Sequence, residues 1–289
     1  MLEHQDFDIQ EQKQTTHNGL DVRVKIGLVL VASGLALFVD MNLRTGWLSL
    51  IILPIIGAYL LVGGMLTRRL GRIIGGAIVS GAGVGSFIGL TSLYNWDVLD
   101  RVGFMLLAVG LGFAFITPLT AFFVGRTHWW GLIPGGLIVS TAVVFLFTPV
   151  RLLDFVFWLP LSLGLSFLLW GYASRLFGLI IPGCLILTTG PAIYEAWVGP
   201  DTNTGLTETG IMLVGFALGW GLITVFSRRV TQTFVWWPLI PGAVLAMVGW
   251  GLYIGGNPGG AARFIGNTGS IALMLFGLYL LLLKRGIGR

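Results

Sequence analysis

Few side chains in this chain are placed to do chemistry. Burying an ionisable group in lipid is costly, so a charged residue inside a long apolar run marks a working site. Only Asp40 and Glu195 come near that condition, each at the end of an apolar run. Carboxylates at headgroup level are the plainer reading of the two, and an ion- or proton-binding role the sharper one. His4 and His17 lie near the N-terminus and His128 just before Trp129, so no histidine pair could ligate a haem from within the membrane. His, Cys and Asp nowhere share metal-ligand spacing, and no Ser/His/Asp or Cys/His set has its members at a common depth. Cys184, flanked by Ile180, Ile181, Leu185 and Ile186, reads as a small buried filler without a disulfide partner. The run Gly81-Ala82-Gly83-Val84-Gly85 superficially suggests a nucleotide loop, but no strand precedes it. The expectation is a chain that is not an enzyme, with no catalytic residue, no cofactor and no bound metal.

The elements that hold these residues follow from composition. The 289 residues are 55% hydrophobic and 10% charged, against ~25% charge in ordinary soluble domains, and mean hydropathy is +0.90. Such a chain is neither a secreted disulfide scaffold nor a conventional cofactor fold. A pI near 9.7 reflects basic residues at membrane surfaces rather than nucleic-acid binding. Runs of roughly 20 apolar residues, the length that crosses a bilayer, occur at 24–40, 47–66, 73–93, 102–124, 129–147, 155–173, 176–194, 209–227, 234–254 and 267–284. They are continuous rather than alternating, which argues against a β-barrel. The expected fold is therefore all-α and polytopic, with ten transmembrane helices in a membrane domain over 22–289. Residues 1–21 are polar and lack the apolar core of a signal peptide. They are expected to form a disordered cytoplasmic tail, with the first apolar run acting as an uncleaved anchor.

Charge placement sets the orientation. With the N-terminus inside, 13 of the 17 basic residues fall on inner segments, leaving Arg44, Arg101, Arg151 and Arg263 outside. Asp40, Asp97, Asp100, Asp154, Glu195, Asp201 and Glu208 all fall outside as well. An even number of spans then puts both termini in the cytoplasm.

An internal repeat runs through the spans. Trp129-Trp130-Gly131-Leu132-Ile133-Pro134-Gly135 returns 107 residues later as Trp236-Trp237-Pro238-Leu239-Ile240-Pro241-Gly242. The same offset maps Gly103-Phe104-Met105-Leu106 onto Gly210-Ile211-Met212-Leu213, and Gly71, Ile73 and Gly76 onto Gly178, Ile180 and Gly183. Two halves, about 47–147 and 155–254, read as a tandem duplication. Within them Gly75-Gly76, Pro134-Gly135, Pro182-Gly183 and Pro241-Gly242 read as turns that lead the chain into each hairpin, dividing it into five parallel two-helix hairpin repeats rather than inverted ones. The paired tryptophans Trp129, Trp130, Trp236 and Trp237 are expected to anchor the interface through their amphipathic rings. Ala77, Gly81, Gly85 and Gly89 recur every fourth residue, and Gly215 and Gly219 repeat the spacing. Small residues in this pattern let helix backbones approach closely in lipid, against another helix of the chain or against a partner.

The segment Ile26-Gly27-Leu28-Val29-Leu30 through Gly34-Leu35, the turn residues Asp40 and Asn42, then Trp47 and Pro54-Ile55-Ile56-Gly57-Ala58-Tyr59-Leu60 resemble the LiaI/LiaF-like transmembrane region of bacterial membrane proteins, and Trp236-Trp237-Pro238-Leu239 gives a further likeness. The resemblance implies a place in the bacterial plasma membrane and a part in envelope-stress sensing or membrane scaffolding. The expected role is a scaffold, accessory subunit or envelope-associated factor. Its expected partners are lipids, copies of itself or a larger membrane complex, and not nucleic acid. The alternative is a transporter or channel for a neutral or lipid-like solute.

Overall fold

The computed structural model describes residues 22–43, 47–91, 95–147, 150–198, 204–259 and 274. The first helix is α1 (Val22–Leu43). A short 3-10 turn, Ser49–Ile51, leads into α2 (Ile52–Thr67) and then α3 (Leu70–Leu90). Next come α4 (Val98–Ala114) and α5 (Ile116–Val124), a second 3-10 turn (Trp129–Gly131), and α6 (Leu132–Leu146). The remainder is α7 (Leu152–Ala173), α8 (Phe177–Val198), α9 (Gly205–Thr231) and α10 (Leu239–Gly256). Among the described residues the protein is all-α and multi-spanning, with eight helical segments long and apolar enough to cross a membrane. These coincide with the second to ninth expected spans. The first expected span is helical as α1, although its described apolar run, Val29–Leu43, is shorter than a full crossing. The tenth, 267–284, lies outside the described residues, as do the tail 1–21 and Arg263.

Helices α4 and α5 form one apolar segment, Val98–Val124, broken at Phe115. Pro118 is the cause. It has no N–H to donate to Ala114, and its ring crowds that carbonyl. In α9 the residue 107 positions later is Val225, and the helix runs unbroken.

Each helix packs mainly on its neighbours in the chain: α2 on α3, α3 on α4, α4 on α6, α6 on α7, and so on to α10. Extensive contacts between distant helices are absent among the described residues, so the array is serial and open rather than a closed bundle. Between 11% and 33% of each span's apolar window is buried. Helix α1 meets the start of α2, where Val29, Ala32 and Ser33 face Ile52, Ile55 and Ile56 across a small gap.

Glycine makes the neighbour contacts. A Cβ on Gly81 would lie 2.8 Å from the Ala108 carbonyl and 2.9 Å from Gly112 Cα, and one on Gly85 would lie 2.7 Å from the Met105 carbonyl. These positions face α4 within the same chain, which settles the direction of the glycine stripe on α3. Gly89 meets only the flexible Met105 side chain. Ala77 is buried, and its carbonyl stands 2.7 Å from a Cβ on Gly112. Across α8 and α9, Gly219 meets the Cys184 carbonyl and Gly215 meets Ala192.

These contacts recur at the offset seen in the sequence. Helices α3, α4 and α6 start at Leu70, Val98 and Leu132, and α8, α9 and α10 each start 107 residues later. Gly112 against Ala77 has its counterpart in Gly219 against Cys184, Gly103 against Leu146 in Gly210 against Tyr253, and Gly64 against Ile73 in Gly171 against Ile180. The positive-φ residues among those described also pair at this spacing, Arg68 (52°) with Arg175 (53°) and Gly125 (72°) with Gln232 (57°).

The junction between the halves is built differently. The Ser162 hydroxyl donates to Ser140 Oγ at 3.0 Å, and the Ser166 hydroxyl to the Leu132 carbonyl at 3.0 Å, tying α7 to α6. At the 107-residue offset Ser140, Ser162 and Ser166 correspond to Met247, Ile55 and Tyr59, all of them exposed.

Gly112→Val and Gly219→Val are each expected to destabilise the fold by about 1–3 kcal/mol through overpacking against backbone. Gly71 and Gly178 meet nothing within 4 Å, so Gly71→Ala and Gly178→Ala should be neutral or stabilising by up to ~1 kcal/mol through helix propensity. Thermal unfolding in detergent separates the two classes.

Candidate functional site

A helix pair joined through glycine leaves a furrow along its contact line, because the residues at the contact have no side chains to fill it. Two such furrows open sideways from the array. The first, about 520 Å³, has a floor of Ala77, Gly81, Ala108 and Gly112 between walls that include Val84, Ile88, Phe104 and Leu111. The second, about 460 Å³, lies where α8, α9 and α10 meet. They occupy corresponding places: Gly81, Val84, Ile88, Phe104, Ala108 and Leu111 of the first match Thr188, Pro191, Glu195, Ile211, Gly215 and Leu218 of the second at the 107-residue offset.

The chemistry of the two differs at one end. The first groove is lined almost wholly by aliphatic and aromatic hydrocarbon. In the second, Glu195 stands where the first has Ile88, and Trp250 and Tyr253 form part of the wall. The two rings stack at 5.4 Å between centroids with 18° between their planes. Their counterparts in the first half are Val143 and Leu146. Glu195 lies in the last turn of α8 and Tyr253 in the last turn of α10, so carboxylate and rings share one end of the bundle. That is the end carrying Asp97, Asp100 and Asp154, opposite the arginines at 68, 69, 126, 175, 228 and 229. Among the described residues no basic side chain pairs with Glu195. Thr188, about 10 Å deeper by helix rise, turns its hydroxyl to the Cys184 and Leu185 carbonyls of its own helix.

Asp40 has a different job. It is 8% exposed, and its Oδ2 accepts from the Ser49 backbone N–H at 3.2 Å and from the Ser49 hydroxyl at 2.6 Å. The carboxylate therefore caps the 3-10 turn that starts α2, tying the end of α1 to the next helix. It and Glu195 sit in separate parts of the array and form no common site.

The proposed lead-in turns divide. Pro134 and Gly135 lie in the first turn of α6, and Pro241 and Gly242 in the first turn of α10, where a proline costs no backbone hydrogen bond. Gly75, Gly76, Pro182 and Gly183 are not turns. They lie in the second turns of α3 and α8, where Gly76 packs on the backbone of Leu60 and Leu61, and Gly183 on Leu168. The chain reverses earlier, at Arg68 and Arg175 in left-handed conformation.

Before each Trp-Trp pair a hydroxyl fastens the connecting loop. The His128 N–H donates to Thr120 Oγ1 at 3.4 Å and the Val235 N–H to Ser227 Oγ at 3.2 Å, while each hydroxyl donates to a carbonyl one turn back. Trp130 then meets the edge of Phe113 at 6.4 Å, and Trp237 meets Trp220 at 5.8 Å. Trp130, Trp236 and Trp237 remain exposed on the bundle surface. Cys184 is buried. No group of three His, Cys, Asp or Glu that could hold a metal ion occurs among the described residues. Compared with known protein families, curated proteins and solved structures, the chain matches none.

Asp40→Ala leaves the Ser49 N–H and hydroxyl without their acceptor and should cost about 1–3 kcal/mol. The loss should be local. Hydrogen exchange is expected to speed up at 47–52 while the glycine-packed helices from α3 onward stay protected, and uniform loss of protection would contradict the assignment.

Proposed function

We propose that the chain is a non-enzymatic scaffold or accessory subunit of the bacterial plasma membrane, built by tandem duplication of a four-helix unit. The observation that carries this reading is the open serial array. A lumen needs helices that close on one another, and the described helices pack along a line, leaving most of each span facing outward. Such a surface suits lateral contact with other membrane chains.

The 107-residue correspondence of helix starts, glycine contacts and left-handed residues supports the duplication. In this reading α1 and the segment 267–284 add one span at each end, giving ten helices in five hairpins. The arginine-rich end faces the cytoplasm by the positive-inside rule, with both termini on that side. The likeness to LiaI/LiaF-like regions fits a part in the bacterial envelope.

A second reading is transport of a neutral or lipid-like solute, favoured by the two lateral grooves. Flux of such a solute in proteoliposomes, abolished by filling a groove, would support it over the scaffold.

Extraction into polymer nanodiscs followed by mass measurement tests the scaffold directly. Particles holding several copies of the 31.2 kDa chain, or the chain with a fixed partner, are the expected result. A lone copy surrounded only by lipid contradicts it.

A further inference from the structure

The two grooves are one structural device made twice, so their differences are informative. The first groove has Ile88 in place of Glu195, and the residues 107 positions before Trp250 and Tyr253, Val143 and Leu146, are aliphatic and do not line it. The second groove instead brings Glu195, Trp250 and Tyr253 together at one end. An exposed carboxylate at the end of the groove gains nothing for helix packing. Aromatic rings beside a carboxylate are the combination that attracts ammonium groups, through ring quadrupole and charge together. From that end the groove continues toward Thr188 for about 10 Å, along apolar walls of Val214 and Leu218 over the small residues Ala192 and Gly215.

We propose that this second groove binds a membrane lipid whose headgroup carries an ammonium group. The ammonium sits between the Glu195 carboxylate and the Trp250–Tyr253 ring pair, and an acyl chain lies along the groove toward Thr188. The lipid arrives sideways from the leaflet at the acidic end of the array, through the open side of the furrow. An anionic headgroup is repelled by Glu195. The first groove takes acyl chains without regard to headgroup. This site stands apart from the scaffold reading, because it needs no partner chain.

Native mass spectrometry of the full chain in detergent tests the site. It is titrated with phosphatidylethanolamine, phosphatidylcholine and phosphatidylglycerol that share the same acyl chains. The first lipid equivalent is expected to be retained about tenfold more strongly for the two ammonium lipids than for phosphatidylglycerol. Glu195→Gln should abolish that preference and Glu195→Asp, which keeps the charge, should retain most of it. Leu218 is exposed on the groove wall, so Leu218→Trp should block the acyl chain and remove the preferred equivalent for both ammonium lipids. Unfolding midpoints equal to that of the unsubstituted chain show that a variant is folded. Equal retention of all three lipids overturns the proposal, as does a headgroup preference that survives Glu195→Gln or Leu218→Trp in a folded variant.

Discussion

In a bilayer an apolar side chain gains nothing by leaving lipid for another helix, because the lipid tail is as apolar as leucine. Two helices stay together only where their backbones come close enough for dispersion and weak backbone contacts to outweigh what lipid offers. That constraint explains the glycines at the helix contacts, among the 44 of the 289 residues that are glycine. Gly81, Gly85 and Gly112 put α3 and α4 at backbone contact, and Gly210, Gly219 and Gly249 do the same for the helices of the second half. The grooves follow from the same constraint, since a contact made without side chains leaves a channel beside it. The protein's candidate site is thus a by-product of how its helices hold together.

The junction shows what happens where the glycine rule is relaxed. Between α6 and α7 the helices are joined in part by serine hydroxyls, and the matching positions at the two ends of the array are Ile55, Tyr59 and Met247. Helix α1 takes part of that place against α2.

Much of the architecture was legible because a membrane span is a matter of length and apolarity. The runs from 47–66 to 234–254 are helices close to their expected limits, and the 107-residue repeat is visible in Trp129-Trp130 and Trp236-Trp237. Partners were not legible. The stripe Ala77, Gly81, Gly85, Gly89 announces a close contact but not with which helix, because helical spacing encodes a face and not its neighbour. Gly75-Gly76 and Pro182-Gly183 look like turns, yet the chain turns at Arg68 and Arg175. Arginine has no preference for left-handed backbone, so nothing in the sequence marks the reversal. Asp40 and Glu195 looked alike as carboxylates at span ends. Only the fold separates the first, which holds Ser49, from the second, which faces a groove. The ring pair Trp250 and Tyr253 was hidden among interfacial aromatics. The signal that could have found it was the comparison with Val143 and Leu146 at the repeat offset.

Among the described helices the array is open, α2 and α10 making no extensive contact with each other. Cysteine cross-linking tests it, with Cys184 replaced by alanine. In a closed ring α10 would sit on α2 as α6 sits on α7, bringing Met247 and Ile55 to the places that Ser140 and Ser162 occupy across the junction. The pair Ser140→Cys and Ser162→Cys should form an intrachain disulfide on mild oxidation, as their hydroxyls lie 3.0 Å apart. The pair Ile55→Cys and Met247→Cys should form none within the chain, and an intrachain disulfide there at a comparable rate would contradict the open array.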